Sequence, residues 1–220
     1  MPLFDGWGIA FIAVTLLVGL VLHEFMHAAT ATAFGDPTAR KAGRLSLNPI
    51  RHIDPFGTII LPGILLFLAA TGMGSGAVFG YAKPVPVRID RLRRPRLQSL
   101  LVSLAGPATN LVLGFLGALA LRLQAGAPDI RVLQFLILWI LINLIIGAFN
   151  VLPVPPLDGS EIVAALLPGR WRPAWYGLVR QFGFILLLAV FLLLPTAFDA
   201  VLSPVLGFLL RLAGLGELSS

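Results

Sequence analysis

The chain has 220 residues, of which 58% are hydrophobic and 12% charged, and its formal net charge is +6. Soluble domains contain about 45–50% apolar and about 25% charged residues, so this composition excludes an ordinary soluble domain and indicates an integral membrane protein. There is no cysteine, which excludes disulfides and thiolate metal sites. The positive charge is attributed to basic residues that fix the orientation of the chain in the membrane, and not to nucleic-acid binding. The length fits a single membrane-embedded domain over residues 1–220.

Five apolar segments are long enough, or nearly so, to cross about 30 Å of hydrocarbon. The first lacks a basic leading region and a small-residue cleavage site, so we interpret it as a mature helix and not as a signal peptide. The predicted fold class is all-α integral membrane with five to six transmembrane segments. The five segments are Trp7 to Phe34, Leu97 to Leu123, Val132 to Leu152, Trp175 to Leu194 and Phe198 to Leu212.

A sixth apolar stretch, residues 57–73, carries Pro62 and Gly63 near its centre and either spans the bilayer or re-enters it. If it re-enters, fourteen of the sixteen Lys and Arg residues lie on one side of the membrane, whereas spanning gives ten and six. Because basic residues accumulate in cytoplasmic loops, the charge distribution favours re-entrance. We therefore expect a multi-pass cell-membrane protein with residues 35–96, and the active site, toward the cytoplasm.

The first apolar segment contains HEFMH, which places His23, Glu24 and His27 inside a hydrophobic helix. Residues four apart share a helix face, so both imidazoles can bind one metal ion while the glutamate lies beside it. A charged residue at the centre of a membrane helix costs about 2.5–3.5 kcal/mol, so such residues indicate function. The pattern predicts one zinc ion per chain that activates a water molecule.

A catalytic zinc ion needs a third protein ligand. Asp158 follows a long apolar segment and a proline-rich break, and it is either that ligand or the cap of a short helix over residues 159–166. Glu161, three residues further on, remains an alternative ligand. His52, in NPIRHIDP, is predicted to be a hydrogen-bonded structural residue.

The HEFMH sequence, followed by LAGPATN (104–110) and NVLPVPPLDG (150–159), resembles the site-2 protease family of intramembrane zinc metalloproteases. The stretches GRLSLNPIRHIDPFGTIILP and YAKPVPV resemble its minimal bacterial and archaeal members. No counterpart of the PDZ insert or the nucleotide-sensing domain of other branches is visible. The stretch GRLSLN (43–48) alternates polar and apolar residues as a strand does. The resemblance also implies a β-hairpin or sheet edge near residues 38–50, which can pair with an unwound substrate.

The resemblance implies that His23, His27 and Asp158 bind zinc, that Glu24 is the general base and acid, and that Asn150 is a catalytic residue beside the substrate backbone. The implied partners are a transmembrane protein substrate and the lipid bilayer, and the oligomeric state stays open.

The LAGPATN sequence is predicted to be architectural, with Gly106 allowing close helix approach, Pro107 bending the backbone and Asn110 helping to hold the zinc helix. The rival interpretation, an ion transporter, requires polar residues on several helices. The other long apolar segments carry almost no charge, which argues against a transporter.

Overall fold

The computed structural model describes residues 5–60, 63, 64, 67, 71, 82–124, 129–193 and 195–215. These residues form helices and connecting loops, with no strand among them. Short 3-10 turns occupy Pro49–Arg51 and Ile89–Arg91, and a π-helical turn occupies Pro55–Ile60. The helices are α1 (Gly6–Ala33), α2 (Thr38–Lys41), α3 (Pro95–Arg122), α4 (Ile130–Val151), α5 (Ser160–Leu166), α6 (Arg172–Leu193) and α7 (Pro195–Leu212).

Three of the described helices, α1, α3 and α4, are long and apolar enough to cross a membrane. Their bounds differ from the first three predicted segments by no more than two residues. Large apolar side chains on these helices face outward, as at Trp7 (59% exposed), which suits contact with lipid. Helices α6 and α7 coincide with the fourth and fifth predicted segments, whose crossing of the membrane stays a prediction.

Helices α3 and α4 approach each other closely at positions that carry glycine. A Cβ atom at Gly114 would lie 2.6 Å from the side chain of Leu144, and one at Gly147 would lie 2.8 Å from Leu111. In lipid, helices associate largely through such close packing of small residues, because no hydrophobic effect drives them together. Helix α1 packs against both, and this three-helix bundle carries the candidate site.

A polar contact fixes the start of α1 against the start of α4. Asp5 caps α1 by accepting a hydrogen bond from the Gly8 N–H (2.8 Å), and its carboxylate also accepts hydrogen bonds from Arg131 and Gln134. The bond from Arg131, assisted by those from Gly8 and Gln134, lowers the pKa of the Asp5 carboxyl to about 2. This contact sets the height of α1 relative to α4, and hence of the residues each helix brings to the site.

The β-hairpin or sheet predicted near residues 38–50 does not form. The region begins instead with α2, which ends at Lys41. Gly43 then turns the chain, with φ at 70° and its N–H donating to the Arg40 carbonyl (3.0 Å). Pro49 then opens a 3-10 turn whose first free N–H is capped by the side chain of Asn48. A left-handed glycine and a proline without an N–H lie at the two ends of the alternating residues that suggested a strand, and they keep the chain from continuing in an extended form.

The segment 57–73, predicted to re-enter the membrane, lies largely outside the described residues. Only its first turn, within Pro55–Ile60, and isolated later positions are described. Its re-entrance therefore stays a prediction.

Candidate metal centre

His23 and His27 lie one above the other on the buried face of α1, with ring centroids 4.7 Å apart. The carboxylate of Asp158 reaches both, because its Oδ2 atom lies 3.0 Å from Nε2 of His23 and 3.3 Å from Nε2 of His27. One ligand atom from each residue lies within 4.8 Å of the others. The structure thus brings together the three residues that the sequence analysis proposed as metal ligands.

A tight loop after α4 carries Asp158 to this position. The Gly159 N–H donates to the Asn150 carbonyl (2.7 Å), and a Cβ atom at Gly159 would lie 2.1 Å from the Val151 carbonyl oxygen. Only glycine fits so close to the end of α4. Helix α5 starts at Ser160 without a side-chain cap, so the alternative in which Asp158 caps this helix is wrong.

Glu161, the alternative third ligand, points elsewhere. Its carboxylate accepts a hydrogen bond from the Tyr176 hydroxyl (3.1 Å), which joins α5 to α6. It is not a member of the described group of residues that can hold a metal ion. Geometry therefore favours Asp158.

Both histidines present the same ring nitrogen to the centre. Nδ1 of His23 lies 2.6 Å from Oδ1 of Asn110, and Nδ1 of His27 lies 2.6 Å from the Val102 carbonyl oxygen. Carbonyl oxygens only accept hydrogen bonds, so each neutral imidazole carries its proton on Nδ1. The Nε2 lone pairs are then free to bind a metal ion, as ligand histidines require.

The orientation of Asn110 is itself fixed by a chain of buried amides. Nδ2 of Asn110 donates to the Gly19 carbonyl (3.2 Å) and to Oδ1 of Asn143 (3.0 Å), while Nδ2 of Asn143 donates to the Trp139 carbonyl (2.9 Å). Asn110 and Asn143 are both fully buried. The carbonyl oxygen of Asn110 must therefore face His23, which gives this residue a direct contact with the site beyond the architectural role predicted.

Asn143 is not among the site residues predicted from the sequence. The available signal was an amide in the middle of a helix that is otherwise almost wholly apolar, where a polar group requires an internal hydrogen-bond partner.

Gly106 brings the α3 backbone directly against the histidine pair. A Cβ atom there would lie 2.4 Å from Nε2 of His27 and 2.6 Å from Nε2 of His23. Any larger residue would occupy the space in front of both ligand atoms. The predicted close approach at Gly106 is confirmed, and the approach is made to the ligand side chains themselves.

The remaining predicted residues differ in their partners. Glu24 is half-buried, and its carboxylate accepts no hydrogen bond from the described residues. Nδ2 of Asn150 donates to the Ile146 carbonyl within α4 (3.0 Å). His52 is buried and bonded through Nε2 to the Ser46 carbonyl (2.7 Å), in agreement with a structural role.

The donor set fits a catalytic zinc ion. Two neutral imidazoles and one carboxylate are a known three-ligand combination for such sites, with the fourth position left to water or substrate. The Nε2 atoms of His23 and His27 converge on Asp158, and the glycine at 106 leaves the space in front of them open.

Two histidines and a glutamate on one apolar helix, with Asp158 brought to the histidines by the loop after α4, are the arrangement expected of a membrane-embedded metallopeptidase. The model of Peptidase family M50 matches residues 11–128 and 122–193, and the chain belongs to this family. The matched residues include every predicted site residue, so the resemblance given by the sequence motifs is confirmed.

Curated relatives agree with this assignment. The chain is 42% identical over 188 residues to a Bacillus subtilis protein named "Putative zinc metalloprotease YwhC", covering 82% of this chain and 80% of the relative. It is 34% identical over 186 residues to Rip2 of Mycolicibacterium smegmatis, covering 81% and 65%. It is 29% identical over 168 residues to MJ0611 of Methanocaldococcus jannaschii, covering 73% and 70%. No solved structure matches the chain.

We expect Gly106→Ala to weaken metal binding strongly, because the new methyl group would lie within 2.6 Å of both Nε2 atoms. Overpacking costs about 1–3 kcal/mol, and about 1.4 kcal/mol already corresponds to tenfold in affinity. Zinc per chain, measured by elemental analysis after dialysis, is the readout. Gly177→Ala is the matched control, because a Cβ atom there meets nothing within 4 Å. Equal zinc content in both variants would contradict the geometry.

Asn110→Leu should reduce zinc affinity by about 10–100-fold, as is typical when the partner that orients a ligand histidine is removed. Asn110→Asp keeps an oxygen that can accept from Nδ1 of His23, but its second oxygen faces the acceptors Gly19 O and Asn143 Oδ1. It should therefore lose stability yet bind zinc more tightly than Asn110→Leu. Competition with a chelator gives the zinc dissociation constant of each purified variant. A merely structural role for Asn110 predicts that both variants lose stability, with no difference in zinc affinity between them.

Proposed function

We propose that this chain is an intramembrane zinc metalloendopeptidase that hydrolyses a peptide bond within or near a transmembrane segment of a membrane-protein substrate, as in regulated intramembrane proteolysis. The observation that carries the proposal is the convergence of Asp158 on His23 and His27, which lie with Glu24 on one apolar helix. The names of the relatives as zinc metalloproteases support zinc as the metal.

In this proposal His23, His27 and Asp158 hold one zinc ion. When bound, zinc polarises the scissile carbonyl and lowers the pKa of a coordinated water molecule to about 7. The carboxylate of Glu24 takes a proton from the attacking water and delivers it to the leaving amine. The Glu24 carboxylate has no hydrogen-bond partner among the described residues, which suits this role because no hydrogen bond has to break before it accepts the proton.

Asn150 is proposed to stabilise the oxyanion of the tetrahedral intermediate. Its backbone carbonyl accepts from Gly159, which keeps it next to the loop that carries Asp158. Its side-chain amide now donates to the Ile146 carbonyl and would have to rotate toward the substrate. A neutral amide donor can stabilise negative charge without competing for the metal.

The substrate is proposed to lie against α1 in an unwound form, because a helical peptide keeps its carbonyls hydrogen-bonded. An apolar cavity of about 230 Å³ lies between Leu47 and Pro49 on one side and Leu17, Val21 and Leu22 of α1 on the other. Leu22 precedes the first ligand histidine. The cavity can take an apolar side chain, which suits a residue from a transmembrane segment.

We further propose that the protein is a multi-pass cell-membrane protein with the site toward the cytoplasm. His23 lies roughly 24 Å along α1 from Trp7, at about 1.5 Å per residue. The segment that follows α1 carries ten of the sixteen basic residues, which supports a cytoplasmic position for it.

We expect Glu24→Gln to keep its zinc and to lose proteolysis by at least about 100-fold, because general acid–base catalysis typically contributes about 10²–10⁴-fold. An amide cannot accept the proton, while both imidazoles and Asp158 remain. Cleavage of a purified single-span membrane protein in detergent or liposomes gives the rate, and elemental analysis gives the zinc content.

Two variants serve as controls for this experiment. Asp158→Ala should lose both zinc and activity, whereas Glu161→Gln should keep both, because Glu161 contacts Tyr176 and not the histidines. Near wild-type cleavage by Glu24→Gln would refute the role of Glu24. Loss of zinc from Glu161→Gln, with retention by Asp158→Ala, would refute the ligand set.

Single cysteines introduced at the exposed positions Lys41 and Arg93 should react with membrane-impermeant reagents only from the cytoplasmic side. A cysteine at Leu123, at the far end of α3, should react only from the outside. The native chain has no cysteine, so the labelling has no background. Labelling at Arg93 from the outside would mean that residues 57–73 span the membrane and that the proposed topology is wrong.

A further inference from the structure

A basic cavity opens between two stretches of the segment that joins α1 to α3. Its volume is about 430 Å³, within the range of about 300–1,000 Å³ usual for ligand sites. None of the candidate metal ligands lines it. The lining includes Arg44, Arg51 and Lys83, together with the apolar residues Ile50, Ile53 and Pro84.

Backbone hydrogen bonds hold the cavity in shape. The Lys83 N–H donates to the His52 carbonyl (2.8 Å), and Nη1 of Arg44 donates to the carbonyls of Arg51 and Lys83. Arg44 is only 7% exposed, whereas Arg51 and Lys83 are exposed. The other guanidinium nitrogens of Arg44 have no partner among the described residues. The cavity thus combines one buried, hydrogen-bonded cation with two exposed ones.

No carboxylate among the described residues pairs with these three cations. The three acidic residues between residues 34 and 128 are engaged elsewhere. Asp36 accepts hydrogen bonds from Thr38 and from the backbone of Arg88, and Asp90 pairs with the Arg88 side chain. Asp54 accepts from two backbone N–H groups within the next three residues. The positive charge of the cavity is therefore not neutralised by its surroundings.

A buried charge without a counter-ion is unfavourable, so a partly buried guanidinium beside two further cations favours the binding of an anion. Arginine presents a planar fork of donors that matches phosphate oxygens, and lysine adds a point charge. We propose that this cavity binds a phosphate group, supplied by the headgroup of an acidic phospholipid. This site is separate from the metal centre and does not depend on peptidase activity.

The apolar surroundings favour a lipid over free phosphate as the source. Ile50 is 74% exposed and Leu47 is 59% exposed, both on the stretch that lines the cavity. Exposed apolar side chains next to basic residues, shortly after a membrane-crossing helix, suit a position at the headgroup level of the bilayer. A free anion would gain nothing from these side chains.

The double variant Arg51→Gln/Lys83→Gln tests the proposal, because both side chains are exposed and neither supports the backbone contacts of the cavity. Arg93→Gln/Arg94→Gln is the matched control: it removes the same charge from exposed positions of the same segment that do not line the cavity. Delipidated protein in detergent is titrated with phosphatidylglycerol or phosphatidylcholine and bound lipid is counted by native mass spectrometry. Inorganic phosphate is tested separately through its effect on thermal unfolding.

We expect wild type and control to bind phosphatidylglycerol in preference to phosphatidylcholine. The cavity variant should bind phosphatidylglycerol at least about tenfold more weakly than wild type, because charge-assisted contacts are lost. A thermal shift by inorganic phosphate that the cavity variant lacks, without lipid preference, would support the phosphate site but identify a free anion as its source. Equal weakening in both variants would show diffuse charge attraction and overturn the proposal. So would equal binding of the two lipids by wild type without any phosphate effect.

Discussion

The close contact between α1 and α3 at Gly106 is the constraint on which the candidate site depends. The histidine pair fills the place where a side chain at position 106 would otherwise project, so the two helices can approach only because that residue has no Cβ atom. The same approach brings the Val102 carbonyl and the Asn110 amide within hydrogen-bond distance of the two imidazoles. Helix packing and ligand orientation are therefore one feature of the molecule.

Polar groups in this bundle occur in connected sets, as expected where lipid offers no alternative partner. One set, built on Asp5 and Arg131, joins the beginnings of α1 and α4. A second set runs from Asn143 through Asn110 to His23 and joins all three long helices. The two sets fix α1 at two heights, which prevents the helix from sliding relative to Asp158.

Much of this organisation is predictable from the sequence, because hydrophobic length and ligand spacing are local properties. The long helices and the pairing of His23 with His27 follow from apolar runs and from helical periodicity. Asp158 could be assigned to the ligand group only through the family resemblance, because 135 residues separate it from His23 and no local spacing connects them. The hydrogen bond from His23 to Asn110 and the role of Asn143 depend on interhelical register, which no local pattern reports.

The strand predicted near residues 38–50 illustrates the opposite case. Alternating apolar and polar residues favour a strand only if the backbone can continue in an extended form and find a partner. Gly43 in the left-handed region and Pro49 without an N–H prevent this, and both are visible in the sequence. In this segment the local turn signals outweigh the short alternation between them.

The loop that carries Asp158 has a consequence for the synthesis of the protein. Helix α1 leaves the ribosome first and brings only the two histidines, while the carboxylate follows after α4 and the turn at Gly159 have been made. Two ligands make an incomplete catalytic zinc site, which takes three from the protein. A truncated or half-inserted chain therefore carries the glutamate but not the metal-binding group it needs. A complete metal-binding group therefore exists only in the assembled bundle.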